Sequence, residues 1–540
     1  MQMNLRAEQP VLYEVLVNAL AAIPNEMSIR IVRSGTSTVF RETMEFSTAL
    51  CDERGTVVTQ GITLPVHVGA LPAALPLALP AIDEWEPGDV VIFNDPEYGG
   101  LHLPDIFVLM PIFVQGRLFG FSSCTGHHVD VGGRFPGGNA AESATIYEEG
   151  LRLPPVKLWR SGRLARDVES IIRKNCRSPD VLMGDLSAQR AACEAGVKGV
   201  QDLARRYAPE LIGRAMRDYV DYSAALFGER LARIPAGDFA FEDTIEWFDD
   251  RRVNIRCTLR SREGRKPSFD FAGSSDGVDF AINCPFSYTR SGVATVLLSV
   301  LGHGVPLNGG LFRAFDVQAT PGSVVSWRMP QACAARGVTM YRVCDAAYGA
   351  LAQALPGEVP AACEGGATLI TIAGGEREAH FNFFDVILGA WGGANGLDGV
   401  SGLSNPATNS RNTPVEMIER QYPVRVVEYG MAAGHYGHGR FRGGNALRRS
   451  YELLAESATL VVRSDRQAVA PWGLAGGGDG TRSSIRIHRA GGATQEMPSK
   501  FSARLARGDI VEIVTPGGAG YGDPALRDVE AARLDALRGL

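Results

Sequence analysis

Lysine is nearly missing from this chain of 540 residues: only positions 157, 174, 198, 266 and 500 carry it, out of 54 Lys+Arg. With a net charge of −6 there is no basic surplus to follow a nucleic-acid backbone, so a nucleic-acid partner is not expected. The nine cysteines are an odd, scattered set without a CxxC pair, which argues against a disulfide framework and for a reduced, cytoplasmic enzyme. No uninterrupted apolar run approaches the length of a membrane span, so no membrane partner is expected. The opening MQMNLRAEQPVLYEVLVNAL lacks a basic stretch followed by a pure apolar core and reads as an amphipathic helix, not a secretory signal. There is also no GxxxxGK[ST] and no strand–GxGxxG–helix unit, so any ATP the reaction uses belongs on another chain.

Glycine is what the chain has in excess, 63 residues, concentrated in C-terminal runs such as GAWGGANGLDG, GRFRGGN and GLAGGGDG. Such clusters mark turns and close backbone approaches, which predicts loop-rich β structure there. The order along the chain predicts an α+β fold: multi-layer mixed β-sheets, a central helical block and a glycine-rich β region. The expected divisions are an N-terminal α/β region over 1–164, the helical block over 165–235, a second α/β region over 236–360 and the glycine-rich region over 361–540. Helices are expected over 8–30, near 67–80, 286–301 and 338–354, and over 529–537. A hairpin is expected around the DERG turn at 52–55, and the second β-rich region opens over 238–250.

The segment most suggestive of chemistry is FNDPEYGGLHLPDIFVLMPIFVQGRLFGFSSCTGHHVDVGG, residues 93–133. Two β-type runs, 106–114 and 117–125, flank a two-residue Gln-Gly connection. Such a turn sets Val114 against Arg117, so that paired numbers sum to 231. This register places Asp105 against Gly126 and Pro104 against His127, with His102 one step further along the same end. Two imidazoles and one carboxylate are the donor set of an open, divalent metal site that activates water. The competing reading is three satisfied polar residues capping strand ends. Beside them, His128 and Asp130 are placed to support the ligands, or to orient water and shuttle its proton. His67 reads as a packed histidine and Cys124 as a buried thiol. His303, His380 and His488 have no evident partners, and His435 and His438 lie in a glycine loop.

Taken together, many stretches resemble the hydantoinase B/oxoprolinase family. They run in order from FSTALCDERG, PVHVGALP, NDPEYGGLHLPDI and GHHVDVGG through EEGLRLPPVKL and IIRKNCRSPDVLMGDLSAQ. They continue with FAGSSDG, INCPFSYT, GGANGLDG, NTPVEMIE, FRGGNALRR, PWGLAGG and GAGYGDP. The resemblance implies a B-type subunit that works with an A-type, actin-like ATPase subunit in a hetero-oligomer. In the implied reaction the A chain phosphorylates the oxygen of a small cyclic amide with ATP. The B chain then completes ring opening with a divalent metal (Zn, Mn or Fe). The alternative that the resemblance leaves open is a ketone carboxylase subunit using the same metal site, and a non-catalytic scaffold is the third reading. By motif position the family's metal ligands fall on His102, Asp105 and His127. A further ligand is implied at Glu45, where MEFS stands in place of the family's DFS. A second departure is AGHYGHGRFRGG, where the family commonly has a Ser-Gly-Gly run.

Overall fold

The computed structural model describes residues 4–538 except 62–63, 247–250, 376–379 and 404–405. The last four residues of the stretch expected to open the second β region, 247–250, therefore lie outside the described residues. Seven antiparallel strands form the first sheet: β1 (Phe46–Asp52), β2 (Val57–Gln60), β3 (Val90–Phe93), β4 (Asp105–Val114), β5 (Arg117–His127), β6 (Val156–Arg160) and β7 (Arg163–Leu164). Their order is β2-β1-β5-β4-β3-β6-β7.

Side chains alternate across a strand, and here both faces are covered. Leu50, Val58, Ile92, Ile106, Val108 and Cys124 enter one core, with Leu16, Leu20 and Met27 of α1 (Pro10–Ser34) and Leu182, Leu186 and Cys193 of α2 (Pro179–Arg206). Ala49, Cys51, Val91, Phe93, Phe107, Leu109 and Phe121 enter a second. There they meet α3 (Pro209–Leu231) through Phe227, α4 (Phe286–Leu301) through Val293 and Leu297, and α5 (Gly337–Ala354) through Val343, Ala347 and Leu351. Double burial explains why β4 reads as an unbroken apolar run. Among the described residues one helix, α1, is long and apolar enough to cross a membrane by length and composition. Its Leu16, Leu20, Met27 and Ile31 are fully buried in this fold.

A smaller mixed sheet uses 237–246, 252–261, 268–270 and 316–318, the last two parallel. Two further antiparallel sheets, of four and five strands, are built from residues after 367. They share a core of Ile370, Phe383, Leu447, Tyr451, Leu460, Ile485 and Val511. The architecture is thus α+β with several mixed sheets. The closing helix spans Val529–Leu537.

Candidate metal centre

The β4–β5 hairpin places the site, and its register differs from the simple count. Gln115 and Gly116 both have positive φ, 52° and 76°, as the two-residue type I′ turn requires. Val114 faces Arg117 and Phe113 faces Leu118, as expected. Beyond them Ile112 faces Gly120, so Phe119 is left without a partner in a β-bulge. From there every pair shifts by one. Asp105 faces His127, not Gly126. The shift decides which face each side chain takes, because directly opposed residues share a face.

His102 comes from the loop before β4. Asp105 donates its amide to the His102 carbonyl (3.0 Å), and Asn94 Nδ2 donates to the Leu103 carbonyl (2.6 Å). A side chain at Gly100 would meet the Asn94 carbonyl oxygen at 2.1 Å, so this turn accepts only glycine.

The three side chains converge. Asp105 Oδ1 lies 3.0 Å from His127 Nδ1 and 3.2 Å from His102 Nε2. The two imidazole nitrogens are 3.1 Å apart, and the rings stack at 5.0 Å. Donors at about 2.0–2.2 Å from a zinc-like ion stand about 3.0–3.4 Å from one another in octahedral to tetrahedral arrangements. The observed separations match that spacing. Among the described residues these are the only grouped His, Cys, Asp or Glu ligand atoms of metal-binding proximity.

The electrostatics favour a cation. His102 Nδ1 sits 3.0 Å from the Ala334 carbonyl, which can only accept, so Nδ1 carries the proton. Burial, reinforced by Arg336, pushes the His102 pKa down to about 3, so the ring is neutral at pH 7 and Nε2 presents a lone pair. Burial opposes the charge of Asp105, yet the Arg336 guanidinium and the His127 hydrogen bond work against it and hold this carboxyl well below the usual range. Arg336 Nη2 donates to Asp105 Oδ2 at 2.6 Å. A lone pair therefore faces a carboxylate oxygen inside the protein, an arrangement that a cation between them relieves. The trio fits a divalent metal.

The cavity in front of the trio measures about 60 Å³. Glu45, His67, Tyr288, Arg336, Arg463 and Asn139 are among its lining residues. Glu45 lies outside the ligand cluster but on the same wall, and its carbonyl accepts the His127 amide (2.9 Å). Burial raises its pKa, opposed by His127. His67 is packed as expected, with Nδ1 3.1 Å from Ser47 Oγ, and it also faces the cavity.

His128 and Asp130 are not brought to this cavity. One residue after His127, His128 points to the other sheet face. Its Nε2 lies 3.0 Å from Gln189 Oε1 of α2, and its ring packs on Phe40. Asp130 accepts from the amides of Gly132 and Arg177 and from Arg177 Nη1 (2.8 Å). Neither residue lines the cavity beside the trio. Cys124 is buried beside Cys193, as a thiol. Sequence reasoning missed Arg336, Arg463, Asn139 and Glu149. The last accepts from the amides of Cys333 and Ala334, both at 2.6 Å, and so positions the carbonyl that orients His102.

Known proteins share this arrangement of the chain. The caprolactamase subunit beta of Pseudomonas jessenii is 29% identical, over 98% of this chain and 94% of its own length. The solved structure of that ATP-dependent caprolactamase superposes with a TM-score of 0.92 at 28% identity, covering 98% of this chain and 94% of its own. The 5-oxoprolinase of Dictyostelium discoideum is 28% identical over 95% of this chain, which spans 40% of that longer protein. An acetone carboxylase structure has the same fold, with a TM-score of 0.93 at 18% identity over 99% of this chain and 78% of its own. The Hydantoinase B/oxoprolinase family model matches residues 9–524, and the chain belongs to that family.

Proposed function

We propose that this chain is the metal-binding, hydrolytic subunit of an ATP-dependent cyclic amide amidohydrolase, working in a cytoplasmic hetero-oligomer with an A-type, actin-like ATPase subunit. The observation that carries the reading is the trio itself: three buried ligand atoms 3.0–3.2 Å apart, with Asp105 and His127 lining a cavity. Relatives of this chain support the substrate class, since a caprolactamase and a 5-oxoprolinase are each aligned over nearly its full length. The name "subunit beta" supports the division of labour.

In this reading His102, Asp105 and His127 hold a divalent ion (Zn, Mn or Fe), with Glu45 as a further oxygen donor. When bound, such an ion supplies Lewis acidity and water activation near neutral pH. The chain's own residues prepare the site. Ala334 fixes the His102 tautomer, Arg336 keeps Asp105 ionised, and Phe384 packs against the His127 ring at 5.1 Å. A lactam is a poor electrophile until its oxygen is phosphorylated, which is the task assigned to the partner and its ATP. The cavity of about 60 Å³ has room for a few water molecules, and Thr408 and Ser410 form part of its wall.

The test is ATP-dependent ring opening by the chain co-expressed with its partner, with metal content measured alongside. A His102→Ala/His127→Ala double variant should lose both metal and turnover. Full turnover in that variant would refute the assignment, and strict bicarbonate dependence would move the chain to the carboxylases.

A further inference from the structure

The cavity wall beside the trio carries more positive charge than its carboxylates use. Arg463 is 7% exposed and lines the cavity, yet no carboxylate among the described residues lies within ion-pair distance of its guanidinium. Its bonds go to neutral acceptors: Nη1 to Asn139 Oδ1 (3.1 Å), Nε and Nη2 to the Ala367 carbonyl (3.3 Å each). Each terminal nitrogen keeps a second N–H, and a guanidinium offers such a pair as a fork matching two oxygens of one oxyanion.

Arg336 spends one N–H on Asp105, while its Nε is buried without a partner. These two arginines flank the start of α5, an 18-residue helix whose N-cap, Arg336, provides no side-chain cap. Gly337 also lines the cavity, and its amide has no hydrogen-bond partner among the described residues. A helix start with a free amide attracts anions. The Arg463 guanidinium lies directly over it: a side chain at Gly337 would meet Nη1 at 2.9 Å.

We propose that Arg336, Arg463 and the N-terminus of α5 form an oxyanion-recognition subsite beside the metal trio, which seats a phosphoryl or carboxylate group of the substrate. This rests on the amidohydrolase reading for its place in a reaction, but not for its existence. With a divalent ion bound, two guanidiniums and that ion would face, among the described residues, only the carboxylates of Asp105 and Glu45 on this wall, so an anionic ligand would complete the charge balance. Arg463 is then a specificity-determining residue.

The experiment titrates the purified, zinc-loaded full chain with inorganic phosphate and, separately, acetate, followed by calorimetry. Saturable phosphate binding is expected, weakened by about tenfold or more in Arg463→Gln. Gly337→Ala should weaken it as well, since its methyl displaces the guanidinium while suiting a helix, and this variant covers the case in which Arg463→Gln fails to fold. Zinc stoichiometry should hold in both, and Arg504→Gln on the outer surface should bind as the parent does. Acetate that displaces phosphate identifies a carboxylate site; phosphate that resists acetate identifies a phosphoryl site. No saturable binding of either ion, or equal binding in the parent and both variants, overturns the proposal. Because binding is read without turnover, a chain that binds phosphate but opens no ring would sink the amidohydrolase reading and leave the subsite standing.

Discussion

Asp105 and His127 oppose each other across β4 and β5 because Phe119 is left out of the pairing. Without that bulge the turn would set Asp105 against Gly126, and His127 would point to the α2 side of the sheet. With Phe119 in the chain, its exclusion from the ladder, eight positions from His127, therefore decides whether the ligands meet.

Deleting Phe119 should remove the bulge and keep the centre, because the uninterrupted hairpin then pairs Ile112 with Gly120 and, onward, Asp105 with His127. The expected result is zinc affinity close to the parent's, since Asp105 and His127 still share a face. Metal analysis after dialysis against a weak chelator reads this directly. Loss of zinc from the deletion variant would show that opposing Asp105 and His127 in the ladder is not enough to gather the ligands.

Glu149 offers a prediction about support from outside the cavity. It holds the Cys333 and Ala334 amides, and the Ala334 carbonyl fixes His102. Glu149→Ala should lower metal affinity by about 10–100-fold, the usual effect of losing a group that orients a ligand. Glu149→Gln keeps an accepting oxygen and should recover most of it. Equal affinity in both variants, measured by competition with a chelator, would remove Glu149 from this role.

The local parts of this site were legible in the sequence, and the distant parts were not. A Gln-Gly turn between two β runs announces a hairpin, and HLPD with GHH places the ligands at its open end. The three histidine and aspartate positions follow from neighbours within 25 residues. The bulge is invisible to that count, because a turn fixes only the pairs beside it. Arg336 reaches Asp105 across 231 positions, and Arg463 reaches Asn139 across 324. No periodicity links residues so far apart; only packing of α5 and of the C-terminal sheets against the first sheet does. The doubly covered β4 was legible as an apolar run, yet which face of GHH turns inward depended on parity, and that is why His128 looked available for catalysis.

His128 supplies the matching prediction. His128→Leu should lower stability by about 1–3 kcal/mol, because Gln189 Oε1 is left without its donor. Turnover per bound metal should stay near that of the parent. Chemical denaturation and metal-normalised rates separate the two effects. A collapse of the rate at unchanged stability would return His128 to the reaction.

The last prediction concerns pH and a carboxyl remote from the trio. Burial pushes the Glu364 pKa up to about 7, against the pull of the Gly366 amide and the Arg342 guanidinium. Its Oε2 accepts that amide at 2.6 Å, while Oε1 has no partner. The folded chain therefore holds a proton here that the unfolded chain, with an ordinary glutamate value of about 4.3, has released. Where the native state binds more protons, stability falls as pH rises. The contribution of Glu364 is complete below the ordinary value, declines above it and is gone once pH passes about 7. Glu364→Gln keeps the neutral form at every pH, so the parent should lose stability relative to this variant between about pH 5 and pH 8. Urea unfolding of both proteins across that range measures the difference, in which other titrating groups cancel. A difference that stays flat, or grows in the parent's favour as pH rises, would mean that the buried carboxyl is ionised throughout and that Arg342 outweighs its burial.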